Sequence, residues 1–208
     1  MAVALCLVGA GSWAQDSAGA LREPKALACE KPAWNREALR YELEGLTAIA
    51  FDLDDAGLPT NARIERSSGW RLLDRMSLDA VSSCRFAPPA DPAFKRTGLK
   101  SIFSWKLSAP PGEKRVEASF VAGSCAASDR FADFRPLSGD VTRSEGLLVR
   151  FLLNPLGTPF GVHIEGNASP EVYQAAVAYL ESCRFTPASA NSVPGPGNMV
   201  GRLLPKSA

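Results

Sequence analysis

A chain of 208 residues has room for one large domain or two small ones. Its apolar share of 46% and charged share of 22% are those of globular protein and argue against wholesale disorder. A formal net charge of +1 supplies no electrostatic case for nucleic acid or for an acidic membrane surface.

The N-terminus carries the first signal. Met1 to Ala14 is an apolar run closed by Ser12-Trp13-Ala14, a small-x-small pattern suited to signal-peptidase cleavage before Gln15. The run is too short to span a bilayer. No positive charge opens it, so a start further upstream would make it the remnant of an anchor. Cys6 follows Val3-Ala4-Leu5, with Leu where a lipoprotein site wants a small residue. Residues 1–14 therefore read as an export signal, and residues 15–28, small and charged, as a loose leader.

After Cys29, Asn35 can cap a short helix through about Tyr41. Leu46 to Asp54 then alternates, with Thr47, Ile49, Phe51 and Leu53 on one face, which predicts a half-buried strand. Asp55-Ala56-Gly57 is turn chemistry, and Leu58 to Arg66 returns as a second strand with Ala62 and Ile64 inward. Ser67-Ser68-Gly69 breaks that strand. Leu73, Met76, Ala80 and Cys84 follow at helical spacing, so the cysteine lies on the buried face at the helix end. Pro88, Pro89 and Pro92 make a loop, and Leu99 to Leu107 is a third strand with Phe103, Trp105 and Leu107 on one face. The order is helix, hairpin, helix, strand.

That order then recurs. Ser83-Cys84-Arg85-Phe86-Ala87-Pro88 returns as Ser182-Cys183-Arg184-Phe185-Thr186-Pro187, and the stretches upstream correspond as well, so the chain reads as an internal duplication. Ser108-Ala109-Pro110-Pro111-Gly112 marks the boundary, within a linker at 108–121 that holds a short extra strand from Arg115 to Ala122. In the second copy, 122–205, Val149, Phe151 and Leu153 match Ile49, Phe51 and Leu53. Gly157 matches Gly57, and Pro159 and Ile164 match Pro59 and Ile64. Ser169 and Pro170 open a helix whose Val172, Ala176, Tyr179 and Cys183 repeat the stripe. A weak strand from Met199 to Leu204 closes the copy. It carries Gly201 where the first copy has aromatics, and Gly166-Asn167-Ala168 replaces Ser-Ser-Gly.

Beyond the export signal the cysteines are Cys29, Cys84, Cys125 and Cys183, an even count in an exported chain. Each copy holds one before its first strand and one at the end of its second helix, so the duplication predicts Cys29–Cys84 and Cys125–Cys183. Closing loops of this length is worth about 4 kcal/mol in the chain-entropy account.

Catalytic and metal chemistry find little purchase. Ala48 to Asp54 resembles the opening strand of a haloacid-dehalogenase-type phosphatase, with Asp52 as nucleophile and Asp54 as general acid. That family continues with Gly-Thr, whereas this chain has Asp55-Ala56, and the other copy reads Leu152-Leu153-Asn154. Solvated turn carboxylates are the better reading. As a calcium loop, Asp52, Asp54 and Gly57 would stand at positions one, three and six, but Ala56 and Arg63 fill two ligand positions. His163 is the only histidine and reads as a surface residue, so no Ser-His-Asp triad or His-rich zinc site can assemble. No enzyme, cofactor or metal is expected.

Glu44-Gly45, an alternating strand, Asp55-Ala56-Gly57, then Ser67-Ser68-Gly69, Leu73-Asp74 and Cys84-Arg85-Phe86-x-Pro88 together resemble the C-terminal domain of TonB, the periplasmic energy transducer. The resemblance covers residues 29–107, and 122–205 is similar to a degenerate relative. It implies an α+β fold: two tandem units, each a small three-stranded antiparallel sheet with two helices on one face. It also implies a function. In that family the last strand pairs with an extended segment of an outer-membrane receptor, a β-augmentation. Carried over, the pairing strand is Leu99, Lys100, Ser101, Ile102, Phe103, Ser104, Trp105, Lys106 and Leu107, with the backbone edge as the functional part and Phe103 and Trp105 in the core.

Family transducers reach a membrane helix through a long Pro-rich spacer, and here residues 15–28 alone separate the leader from Cys29. The expectation is thus a periplasmic module that binds an envelope protein or peptide, by resemblance a TonB-dependent receptor, and no nucleic acid. The alternative is a structural envelope protein whose two copies pair with each other. A phosphohydrolase using Asp52 and Asp54 comes third.

Overall fold

The computed structural model describes residues 3–6, 26–88, 94–108, 112, 114–137 and 145–206. The cleavage pattern at Ser12-Trp13-Ala14, most of the leader, Pro89 and Pro92 of the loop, and Pro110-Pro111 of the boundary lie outside these residues. The chain divides into two compact units, Met1–Leu39 with Leu43–Ser108, and Arg40–Glu42 with Ala109–Ala208.

In chain order the first unit holds strands β1 (Val3–Cys6) and β2 (Ala26–Ala28), then helix α1 (Arg36–Arg40) and the hairpin β3 (Gly45–Leu53) and β4 (Pro59–Arg66). Helix α2 (Arg71–Ser82), β5 (Arg85–Phe86) and β6 (Leu99–Lys106) follow. Asn35 caps α1 by accepting the Glu37 N–H on its side-chain oxygen at 2.6 Å. The main sheet runs β1-β6-β3-β4, antiparallel throughout. β3 sits inside the sheet, so its alternation is realised as burial: Thr47, Ile49, Phe51 and Leu53 are all buried. α2 packs on the sheet through Leu73, Ala80 and Val81, with Phe103 and Trp105 beneath it in the core.

β4 departs from expectation. Ala62 is half-buried, and Ile64, expected inward, is 40% exposed. β4 is an edge strand, and the β3–β4 register shifts at Ala48/Ile49 and again at Ala50/Asp52. Such bulges twist an edge away from its cover and break strict alternation.

The second unit contains β7 (Arg115–Val116), β8 (Ser119–Phe120), β9 (Phe131–Pro136), the hairpin β10 (Leu147–Leu153) and β11 (Pro159–Ile164), and helix α3 (Pro170–Ser182). It ends with β12 (Phe185–Thr186), β13 (Ala188–Ala190), β14 (Val193–Gly195) and β15 (Gly197–Pro205). Its main sheet runs β11-β10-β15-β9, and α3, capped by Ser169 with Pro170 at its first position, lies against the core. Two small ladders complete the unit, β12 with β8, and β14-β13-β7.

Two helices were expected per unit, but α3 is the helix of this one among the described residues. Where α1 follows Cys29, the chain after Cys125 forms β9 instead. Its sequence Phe131-Ala132-Asp133-Phe134-Arg135-Pro136 sends Phe131 and Phe134 into the core and ends in a proline that cannot continue a helix. Gly201 is also re-placed by the register. It pairs with Val149 as Ser101 pairs with Ile49, so Leu203, not Gly201, stands at the position of Phe103. A Cβ on Gly201 would overlap the Phe134 ring, and that close approach is what the glycine serves.

Both units join the helix end to the start of the unit in one manner. Cys29 is bonded to Cys84 and Cys125 to Cys183, the pairing that the repeat implied. Beside each disulfide runs a short ladder, β2 with β5 and β8 with β12. The residues after the cysteine then cross the hairpin turn. The Phe86 N–H donates to the Gly57 carbonyl at 2.9 Å, and a Cβ on Gly57 would overlap the Phe86 carbonyl oxygen. Gly157 bears the same relation to the Phe185 carbonyl. Phe86 stacks on Phe51 at 5.5 Å, and Phe185 meets Phe151 at 5.2 Å.

Gly57 and Gly98 both have positive φ, +78° and +68°, but only Gly57 has backbone in its Cβ position. Gly98→Ala is expected to cost about 1 kcal/mol for the left-handed backbone alone. Gly57→Ala is expected to cost about 3 kcal/mol, because the Phe86 carbonyl must also move. Urea unfolding of the two variants checks this; equal losses would remove the close-approach argument.

Candidate functional site

The Ser-Ser-Gly and Leu-Asp signature is a buried polar network. The Asp74 carboxyl, 5% exposed, accepts hydrogen bonds from Thr47 Oγ1 at 3.0 Å, from the Ser68 N–H and Oγ at 2.8 Å each, and from Ser67 Oγ. It thereby ties β3, the end of β4 and the first turn of α2 at one point. Glu44 and Gly45 join in: the Trp70 indole N–H donates to the Glu44 carbonyl at 3.1 Å, and a Cβ on Gly45 would stand 3.0 Å from Ser68 Cβ. A buried carboxyl is tolerated only with its lone pairs occupied, and here they are.

This scaffold positions β6. Phe103 and Trp105 are buried, as expected of core residues. The Trp105 N–H donates to Ser77 Oγ at 3.0 Å, and Trp34 packs edge-on against its ring at 5.1 Å. The strand is pinned at both ends by carboxyl groups. Asp52 accepts the Gly98 N–H at 2.8 Å, and Glu44 accepts the Leu107 N–H at 2.6 Å, just past the strand end. On the outward face Ile102, opposite Ala48 of β3, is 50% exposed, and Leu46 of β3, opposite Ser104, is 46% exposed. Lys100 pairs with Glu65 at 2.6 Å, while Ser101 and Ser104 are half-buried, Lys106 is exposed, and Leu99 and Leu107 are half-buried.

One side of β6 is taken by β3. The other side carries β1 along half its length: Val3 faces Lys106, Ala4 faces Trp105, Leu5 faces Ser104 and Cys6 faces Phe103. Over Leu99–Ile102 no strand pairs on that side among the described residues. In the second unit, the corresponding side of β15 is covered by β9, from Gly201 opposite Pro136 to Pro205 opposite Phe131. Sequence reasoning missed both covering strands. Val3–Cys6 lay hidden in an apolar run that reads as an export signal. In β9 only Phe131 and Phe134 are buried, and that spacing of three, associated with a register shift at Leu204/Pro205, erases the period-two signal.

The acidic residues of the turn have structural work. Asp54 accepts the Ala56 and Leu58 N–H groups at 2.9 and 2.7 Å, Asp55 pairs with Arg96, and Asp52 holds Asn61 and Gly98. Asn154 performs the Asp54 role in the second unit, accepting from the Leu156 and Thr158 N–H groups at 2.9 Å each. A neutral amide thus does what the carboxyl does, so the role needs an acceptor rather than an acid or nucleophile. No cluster of three His, Cys, Asp or Glu side chains that could hold a metal ion occurs among the described residues. His163 is half-exposed, with Nε2 3.9 Å from Glu165, whose carboxyl pairs with the buried Arg150.

Residues 30–107 match the family described as the Gram-negative bacterial TonB protein C-terminal. This stretch belongs to the TonB C-terminal family. The matched segment begins just after the cysteine that staples the first unit and ends one residue past β6, so it contains the Asp74 network and the whole of β6. The family is a periplasmic, protein-interaction domain. No curated protein matches the chain.

Two predictions concern what holds the TonB-type scaffold. Asp74→Asn removes one acceptor oxygen and places an NH2 against hydroxyl donors, and is expected to cost about 2 kcal/mol in urea unfolding. A neutral result would remove the network from the account of stability. The second concerns pH. The Asn61 amide first, and the Gly98 N–H second, hold the Asp52 carboxyl below the ordinary aspartate value of 3.8. A depressed native pKa means its contribution is complete above 3.8 and is lost as pH falls through the lower native value. The Gly98 amide resonance should therefore titrate with a midpoint below 3.8; a midpoint at or above it would contradict the pairing.

Proposed function

We propose that the TonB-type unit captures an extended segment of an envelope protein by β-augmentation along β6, with a TonB-dependent outer-membrane receptor as the partner class and the periplasm as the compartment. One observation carries the reading: the outer side of β6 accepts an antiparallel strand, as β1 does over Phe103–Lys106. Main-chain hydrogen bonds then supply affinity. Phe103 and Trp105 are spent on the core, so selectivity falls to the outward row, where Ile102 offers an apolar contact between Lys100 and Lys106. A partner with an apolar residue over Ile102 and acidic residues toward the lysines suits that row.

The second unit supports a division of labour. It is read as a divergent relative whose equivalent strand, β15, is closed by β9, leaving β6 as the working edge. Among the described residues the ladders do not pair one copy's last strand with the other's. β6 lies between β1 and β3, and β15 between β9 and β10, each within its own unit. No helix among the described residues is long and apolar enough to cross a membrane.

The test is titration of the 15N-labelled chain with synthetic peptides from the N-terminal segments of outer-membrane receptors. Shifts should concentrate on Leu99–Lys106. Peptides N-methylated at alternate backbone positions should bind roughly fivefold to thirtyfold more weakly, the loss of one or two ladder bonds at about 1 kcal/mol each. Absence of shifts with every peptide, or indifference to N-methylation, would defeat the proposal.

A further inference from the structure

Val3–Cys6 lies on the edge where the proposed function seats a partner. The ladder is continuous, Val3 to Lys106 through Cys6 to Phe103, so a partner segment can pair with this half of β6 only after β1 has left. β1 ends opposite Phe103, and beyond that end Leu99–Ile102, paired with β3 on one side, has no strand on the other among the described residues. The edge is therefore divided into a covered half and an open half.

We propose that Val3–Cys6, in the chain that retains its N-terminal run, is a cis-acting plug on the β6 edge, that a partner strand enters at Leu99–Ile102 and displaces it from the Cys6 end, and that cleavage before Gln15 would remove the plug altogether. This rests on the reading of β6 as the partner-binding strand. Three observations converge on it. The occupant is this chain's own segment, in a stated register. The same side of the last strand in the second unit is also covered, by β9. There the cover is built in: β9 contributes Phe131 and Phe134 to the core, and Gly201 is cut back to admit the Phe134 ring. Finally, an uncovered strand edge invites association with other chains, so a temporary cover guards it until the right partner arrives.

The consequence is competition. A segment on the same chain acts at an effective concentration on the order of millimolar. Partner affinity is then lowered by the fraction of molecules whose edge is open. Any event that removes or sequesters the N-terminal run raises the apparent affinity of β6 without altering β6 itself. Leu99–Ile102 supplies the toehold, so the first partner contacts form before any β1 hydrogen bond breaks.

The test uses the full chain and its Ala4→Pro/Leu5→Pro variant, because proline removes the ladder N–H and is excluded from a paired strand. Leu5→Asp serves as a second variant that leaves all backbone donors in place. Native-state hydrogen exchange is read at Phe103–Lys106. Those of its amides that face β1 should exchange at least about tenfold faster in the proline variant, and those bonded to β3 should not change. A synthetic peptide of residues 1–7 carrying Cys6→Ser, at concentrations on the order of millimolar, should restore protection in trans. Receptor-derived peptides should bind the proline variant more tightly than the native chain by about threefold or more.

Unchanged exchange, with receptor peptides binding both chains equally, overturns the plug and leaves augmentation standing. Faster exchange that the residue 1–7 peptide reverses, with receptor peptides bound by neither chain, overturns the augmentation reading and with it the plug's regulatory role.

Discussion

The first unit depends on the crossing of two backbone segments at one glycine. After α2 the chain must return over the tip of the β3–β4 hairpin, and it does so with the Phe86 carbonyl packed where a side chain at Gly57 would stand. The disulfide at Cys84 fixes where that crossing begins, and the Phe86 ring, stacked on Phe51, fixes where it enters the core. Only a residue without a Cβ and able to adopt positive φ fits the turn. The Cys-Arg-Phe-x-Pro repeat is thus the covalent, polar and apolar parts of one joint. Its recurrence at Cys183, Phe185 and Gly157 shows that the joint tolerates wide change in the surrounding sequence.

Around that joint the two units satisfy their polar groups differently. The TonB-type unit buries Asp74 and surrounds it with Thr47, Ser67 and Ser68. At the matching helix position the second unit has Tyr173, whose hydroxyl donates to the Val162 carbonyl at 3.1 Å. Its buried charge lies elsewhere, in the Arg150–Glu165 pair, with the Arg150 guanidinium 4.9 Å from the Tyr41 ring centre. A buried polar group is costly unless satisfied, so the residues that serve it must change together. That explains why the signature is lost as a block in Gly166-Asn167-Ala168 while the apolar positions persist.

Edges make the other contrast. Both last strands need a neighbour on their outer side, since an unpaired row of N–H and C=O groups is a liability in water. The second unit meets the need with a strand whose aromatic side chains are core, and the aromatic cluster of Phe120, Phe134, Phe151 and Phe185 depends on it. The first has four N-terminal residues along half the strand, and over Leu99–Ile102 no strand pairs on that side among the described residues.

Much of this was legible in the chain itself. Alternation on β3 and β10, the helical stripes ending in cysteine, the turn glycines and the disulfide pairing all follow from local periodicity and from the repeat, because each depends on residues close in sequence or on two copies agreeing. What covers β6 and β15 did not follow, because pairing partners of an edge are chosen by tertiary geometry and four residues of ladder carry no distinctive pattern. Asp74 could be recognised as part of a signature, yet its role as a shared acceptor appears only when Thr47, Ser67 and Ser68 converge on it. The chain by itself determined the two hairpins, helices α2 and α3, the two staples and the last strand of the first unit, β6. The tertiary structure alone decided who that strand's neighbours are, since hydrogen-bonding edges are read by position in space and not by side-chain pattern.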